Sequence, residues 1–228
     1  SGFIYFIQTE LGLDNYGIYD EFNTEDKFAK MPYVRESRRL KGEYRLTEDD
    51  IVKGGGGQRT DIFYDAIAIG DYPIDLHFCR YGIGDVFKPI APYQIPYRVT
   101  IPKDIDGFMA ADKNISVSHI VNGTTRLQPV TTSVGQAVGV AAAMASNKGI
   151  EPRNIDVREL QEKLFDAKSN LFFFKDLPPD HFAYPYVGRL AVKGYISGYA
   201  DCTFKPDDSI NESDFLKILK VFLTYKNH

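Results

Sequence analysis

Residues 131–149 read TTSVGQAVGVAAAMASNKG, and the meaning of this stretch decides the fold. From Val134 to Ala145 the one polar side chain is Gln136. The length and the alanine content predict a helix. Thr131, Thr132 or Ser133 is expected to supply the N-terminal hydroxyl, and Gly149 follows the last turn. A helix apolar all round is expected to be buried all round. Gly135, Gly139 and Ala143 recur every fourth residue, a stripe that lets another backbone approach. The segment therefore expects partners on every side.

Working outward, GFMAA (107–111) and ISVSH (115–119) read as short strands. Downstream, Asp156 and Glu159 form a capping box for a helix with Val157, Leu160 and Leu164 on one face. Upstream, GEYRL (42–46), DIFYDAIAIGDY (61–72) and PYQIPYRVTIP (92–102) alternate or cluster as strands do. Residues 3–11 carry Phe3, Phe6, Ile7 and Leu11 at helical spacing, with a buried strand over 3–7 as the alternative. Gly54–Gly57 reads as a mobile loop tip and, with no Lys-Ser/Thr after it, not as a phosphate loop. The last sixty residues read as a separate small unit of two helices about a tight loop. Phe182, Tyr186 and Leu190 make the first apolar stripe, ended by Gly194. Asn211 and Asp214 cap a second helix whose stripe is Phe215, Ile218, Leu219, Phe222 and Leu223. So small a core is expected to need docking on a larger one.

Composition narrows the class. The chain has 228 residues, 43% of them hydrophobic and 25% charged, with a formal net charge of −4. That profile belongs to a folded globular protein and excludes a disordered tail. Basic residues do not form a long block, which argues against a nucleic-acid surface. No apolar window is long enough to span a membrane. The opening SGFIYFIQTELG has neither the basic stretch nor the cleavage site of a secretory signal, and it does not read as a native beginning. Cys79 and Cys202 fit no metal spacing or disulfide framework and are expected as small residues or free thiols.

Two resemblances rest on longer motifs. DGFMAADKNISVSHIVNGTTRLQPVTTSVGQAVGVAAAMA (106–145), with MPYVRESRRLKGEYRLTEDDI, IAIGDYPIDLH and YQIPYR upstream, resembles the C-terminal part of a family of FAD-dependent oxidoreductases. These are found beside glycan-degrading genes and are sometimes labelled xanthan lyase-like. The resemblance covers roughly residues 1–165. It implies a mixed α+β chain in which residues 1–100 form a substrate-side cap and residues 101–168 the last elements of an FAD-binding domain. A dinucleotide domain needs a GxGxxG turn, and none occurs here. The resemblance thus implies that this is the C-terminal portion of a two-domain flavoprotein, holding FAD poorly by itself.

The same resemblance implies the site. Asp112, Gly123, Arg126, Thr132, Gly135 and Gln136 would meet the cofactor, with the helix start at 131–136 turning its free N–H groups to the flavin pyrimidine edge. His119 would exchange a proton beside the flavin, and Arg126 would hold flavin or a carboxylate by forked hydrogen bonds. For His119 the alternative is a hydrogen-bonded structural residue, and for Arg126 an ion pair tying down a loop. Arg35, Asp71, His77 and Arg98 would face a small polar or carbohydrate-derived substrate. Against this, Arg35, Arg38 and Arg39 near Glu36 also read as a surface salt-bridge network. Asp71, Asp75 and His77 have no fourth partner for a metal.

FFKDLPPDHFAYPYVGRLAVKGYISGYADCTFKPDDSINESDFLKILKVFL (173–223) resembles one S-layer homology repeat, the second resemblance. It implies a module at residues 169–228, a cell-wall polymer as partner, and an extracellular or cell-surface location. Tyr199, Asp201 and Asn211 are the polymer-binding candidates. The usual Thr-Arg-Ala-Glu is Asn211-Glu212-Ser213-Asp214 here, and Cys202 stands for the usual glycine. Those departures leave a non-binding structural remnant as the alternative.

Overall fold

The computed structural model describes residues 2–77 and 84–226, and the chain divides into two compact units, Ser1–Arg35 and Glu36–His228. The first carries helix α1 (Gly2–Thr9) followed by turns. The helical spacing of its apolar residues is thus realised as helix. No described residue of this unit is buried, and Phe3, Tyr5, Tyr19 and Met31 are among its exposed side chains.

The second unit is a mixed α+β body. Its strands form two antiparallel pairs, β1 (Ala66–Gly70) with β4 (Tyr93–Pro96), and β2 (Ile74–Leu76) with β3 (Val86–Lys88). A register shift between Ala66 and Ala68 bulges β1. Helix α4 (Gln128–Lys148) is the spine of this unit. Its Val130 and Val134 join a core with Ala68, Ile74, Tyr93, Ile95 and Val121. Its Ala137, Ala141, Met144 and Ala145 join a second core with Ile67, Tyr97, Leu160 and Leu164. Residues on both sides of position 100 therefore share the same interior.

α4 corrects two expectations. It begins at Gln128, three residues before the first candidate hydroxyl, with extended Leu127 ahead of it. Pro129 fits the first turn because no N–H is needed there. Thr131 and Ser133 bond back to the carbonyls of Gln128 and Pro129 instead of capping. Nor is the helix buried all round: only one face is enclosed, and Thr132, Gln136, Gly139 and Ala143 are exposed. Gly149 ends it in the left-handed conformation at φ +61°, as expected.

The expected strands GFMAA and ISVSH are not strands. The first is irregular, and the second makes a single bridge, Val117 with Leu46, before α3 (His119–Thr125) starts. Ser118 caps α3 by accepting the Val121 N–H at 3.1 Å. Gly54–Gly56 is a 3-10 turn instead of a loose tip. Gly56 is buried at φ +102°, where a Cβ would lie 2.7 Å from the Pro89 carbonyl oxygen. The one-turn helix α2 (Glu48–Ile51) packs against α3.

Asp156 caps α5 (Val157–Asp166), accepting from the N–H groups of Arg158 and Glu159, and Leu160 and Leu164 are buried; Glu159 pairs with Lys148 of α4 and does not close the expected box. In the small C-terminal part, α6 (Tyr184–Val192) turns a different face inward than expected. Phe182 and Tyr186 are 80% and 69% exposed, whereas Val187, Gly188, Ala191 and Val192 are buried. The reason is Phe172, which lies where a Cβ on Gly188 would be, at 2.1 Å. Asn211 caps α7 (Glu212–Lys226) by accepting the Asp214 N–H at 2.9 Å. Phe215, Leu219 and Leu223 are exposed, and the side chain of Phe222 lies outside the described residues. Docking is as predicted for so small a core. Arg59 donates from its backbone to Ala200 and from Nη2 to Phe173 O, and its guanidinium lies 4.4 Å from the Phe174 ring centroid. Cys202 is free and buried, and Cys79 lies outside the described residues.

Candidate functional site

The chemistry-bearing residues gather where α3 crosses β2. Gly123 makes the crossing possible, since a Cβ there would sit 2.8 Å from both Asp75 O and Leu76 Cδ2. One turn on, Arg126 Nη2 donates to the carbonyl and to the carboxylate of Asp75, each at 3.2 Å. Asp75 also faces His77, with Nε2 to Oδ2 at 3.4 Å. His119 opens α3 instead of lying in a strand, and its Nε2 is 3.2 Å from the Glu36 carboxylate. Of the residues foreseen, the fold thus joins Gly123, Arg126 and His77 through Asp75.

This crossing is incompletely satisfied. Arg126 is only 6% exposed, yet its Nε has no partner among the described residues. Asn122 is 1% exposed, and neither its Oδ1 nor its Nδ2 has one. A buried polar atom left unpaired costs about 1–3 kcal/mol, so two such side chains one helical turn apart mark a place for further polar atoms. Asn122 lies within the 106–145 motif, where sequence reading does not single it out. Its signal is a polar side chain four residues before a buried arginine on a short helix.

On α4, Thr132, Gly135, Gln136, Gly139 and Ala143 share the face opposite the core. A Cβ built on Gly135 or Gly139 meets no atom within 4 Å among the described residues. Gln136 Oε1 accepts from Ser169 Oγ at 3.0 Å. Because the helix starts at Gln128, the N–H groups of 132–136 are already inside the helical ladder. The free donors of the first turn belong to Gln128 and Val130, since Pro129 has none. Asp112 is exposed at φ +64° and opens a single turn that packs against α4.

Arg98 stands apart from the crossing. Arg98 Nε and Nη2 donate to the two carboxylate oxygens of Asp65 at 2.9 and 3.2 Å, and its backbone N–H reaches the same group. Its guanidinium lies 4.9 Å from the ring centroids of Tyr44 and Tyr64. The hydrogen bonds to Asp65 hold its pKa above the usual arginine value. That makes Arg98 a clamp on fully buried Asp65. Tyr44 donates to Asp50 at 2.6 Å, and burial together with that bond pushes its pKa up to about 12. Asp71 is exposed. Arg35, in the first unit, is exposed as well. The described residues hold no group of three potential metal ligands.

In the small module, Asp176 organises the loop by accepting the N–H groups of Phe204 and Lys205, both at 2.7 Å. Asp201 Oδ1 accepts from Thr203 N and Oγ1, the turn-building role that Asp takes in such loops. These bonds hold the Asp201 carboxyl below the usual range. Tyr199 and Asn211 line a cleft of about 610 Å³, and Asp201 does not.

The model of a family described as FAD dependent oxidoreductase matches residues 1–164. That of the S-layer homology domain matches residues 173–216. No curated protein and no solved structure matches the chain.

Proposed function

Because the chain belongs to the FAD dependent oxidoreductase family, we propose that it forms the substrate-side and closing part of a flavin enzyme that oxidises a polar, carbohydrate-derived substrate. The intact protein binds FAD, as the family implies. The observation that carries the reading is the bare face of α4. Thr132, Gly135, Gln136 and Gly139 lie together on it, and the two glycines leave the helix backbone open to close approach. Those residues fit a cofactor-bearing neighbour, and the dinucleotide turn would be supplied by chain preceding Ser1.

When bound, FAD supplies the hydride acceptor. The chain's own residues then have these parts. Thr132 and Gln136 offer a hydroxyl and an amide beside the open backbone, and Asp112 approaches the same helix through its turn. Arg126, held by Asp75, keeps one fixed positive charge and an unspent Nε–H at the α3 crossing. His119, oriented by the pairing of its Nε2 with Glu36, exchanges the substrate proton through its other ring nitrogen. His77 and Asp71 contact substrate hydroxyls.

Purified from its whole gene, the protein should show the visible absorption of a flavin. A colourless, folded product would sink the proposal. Gly135→Leu closes the bare face without touching the core, so it should lower flavin retention at least about tenfold with the thermal midpoint unchanged.

A second reading concerns residues 169–228, and the cleft beside Tyr199 and Asn211 favours it. Here the S-layer homology domain holds the protein to a cell-wall polymer and so at the cell surface. Among the described residues, no helix is long and apolar enough to cross a membrane. Comparing cell-wall retention of the whole chain with that of the chain ending at Lys168 tests it. Equal retention would leave the module a structural remnant.

A further inference from the structure

The cleft of about 610 Å³ lies between the loop after α6 and the first turns of α7. Four of the residues lining it carry charge, and they cancel: Lys205 and Lys217 against Asp208 and Asp214. Lys217 Nζ donates to Asp214 at 2.7 Å, and Asn211 Nδ2 donates to the same carboxylate at 2.8 Å. These two bonds hold Asp214 below the usual carboxylate range. Lys205 Nζ lies 4.6 Å from the centroid of the Tyr199 ring, which is half exposed. Glu212, at the start of α7, adds no cation.

A binding surface draws a polyanion through uncompensated positive charge. This cleft has none to spare. What it offers is an aromatic ring, an amide, and paired carboxylate and ammonium groups, that is, donors and acceptors set around an apolar face. Sugar hydroxyls both donate and accept, and the C–H face of a sugar ring is apolar, so an uncharged saccharide matches every one of these groups.

We infer that this cleft binds an uncharged saccharide in preference to an anionic one. The inference rests on the second reading above and assigns the charge class of its ligand. An array printed with neutral and anionic saccharides, probed with the whole chain at about 0.05 M and about 0.5 M salt, tests it. Neutral spots should retain the protein equally at both salt concentrations. Tyr199→Ala should weaken that retention about tenfold with the thermal midpoint unchanged, because the loop's backbone bonds remain. Preference for anionic spots that fades with salt would overturn the charge class and leave glycan binding standing. Retention of Tyr199→Ala equal to that of the parent would move the site elsewhere and overturn the inference. Binding to no spot would overturn both.

Discussion

The α3–β2 crossing and the loop of the small module handle polar groups in opposite ways. At the crossing, the Asn122 side chain and the Arg126 Nε are buried without partners among the described residues. In the loop, Asp176 and Asp201 spend their carboxylates on nearby N–H groups and stay in reach of water. Both carboxylates find their partners within the module. The crossing carries a standing cost that either further polar atoms or an apolar replacement can relieve. A large surrounding scaffold can hold the crossing in that condition, and a module of some sixty residues has no such reserve.

Four experiments break or sharpen this contrast. Asp65→Ala removes the buried partner of Arg98 and should cost about 3–5 kcal/mol of global stability, read by chemical denaturation. A change below that range would mean the scaffold around the crossing does not depend on the clamp. Asp176→Ala strips two N–H groups of a charged acceptor and should cost about 2–3 kcal/mol. Hydrogen exchange should show the loss confined to residues after 168, whereas loss spread through the main body would show the module to be no independent weak point. Asn122→Leu replaces an unpaired buried amide with an apolar side chain of similar size, so the thermal midpoint should hold or rise by a few degrees. A fall of the same size would show that the amide is already satisfied in solution.

The smallest effect is with pH, at the joint between α5 and α6. Burial raises the Glu162 carboxyl, but hydrogen bonds from Arg189 and Lys193 at 2.7 and 3.0 Å overcome this and hold it below the usual value. A depressed folded pKa means the contribution is present above the unfolded value and is lost as pH falls through the folded one. Acidification into the carboxylate range should therefore loosen the module, and Glu162→Gln should flatten that part of the stability profile. An unchanged profile would remove Glu162 from the joint.

Signals confined to a few neighbouring residues were legible in the chain. Asp156 caps α5, Asn211 with Asp214 caps α7, and Gly149 ends α4, because each involves atoms within one helical turn. Part of the crossing was legible too: Gly123 and Arg126 stand out by residue type. Their partner could not be, since Asp75 is 51 residues from Arg126. The partner of Arg98 was hidden for the same reason: an arginine in a strand-like motif gives no sign of fully buried Asp65, 33 residues earlier. On α6 the periodic aromatic stripe pointed to the wrong face, because periodicity counts side chains and Gly188 is an absence that Phe172 fills.

Sequence by itself determined the mixed helix-and-strand character, the cap residues, the division into an oxidoreductase-family part and a small repeat, and the composition of the α4 stripe. Tertiary structure alone decided which side of α4 is buried, which carboxylate holds each arginine, and which polar atoms of α3 go unpaired. Caps and turns are settled by bonds over three or four residues, where covalent geometry leaves few choices. Burial and ion pairing depend on which distant segment arrives first at a surface, and that is fixed only when the whole interior packs.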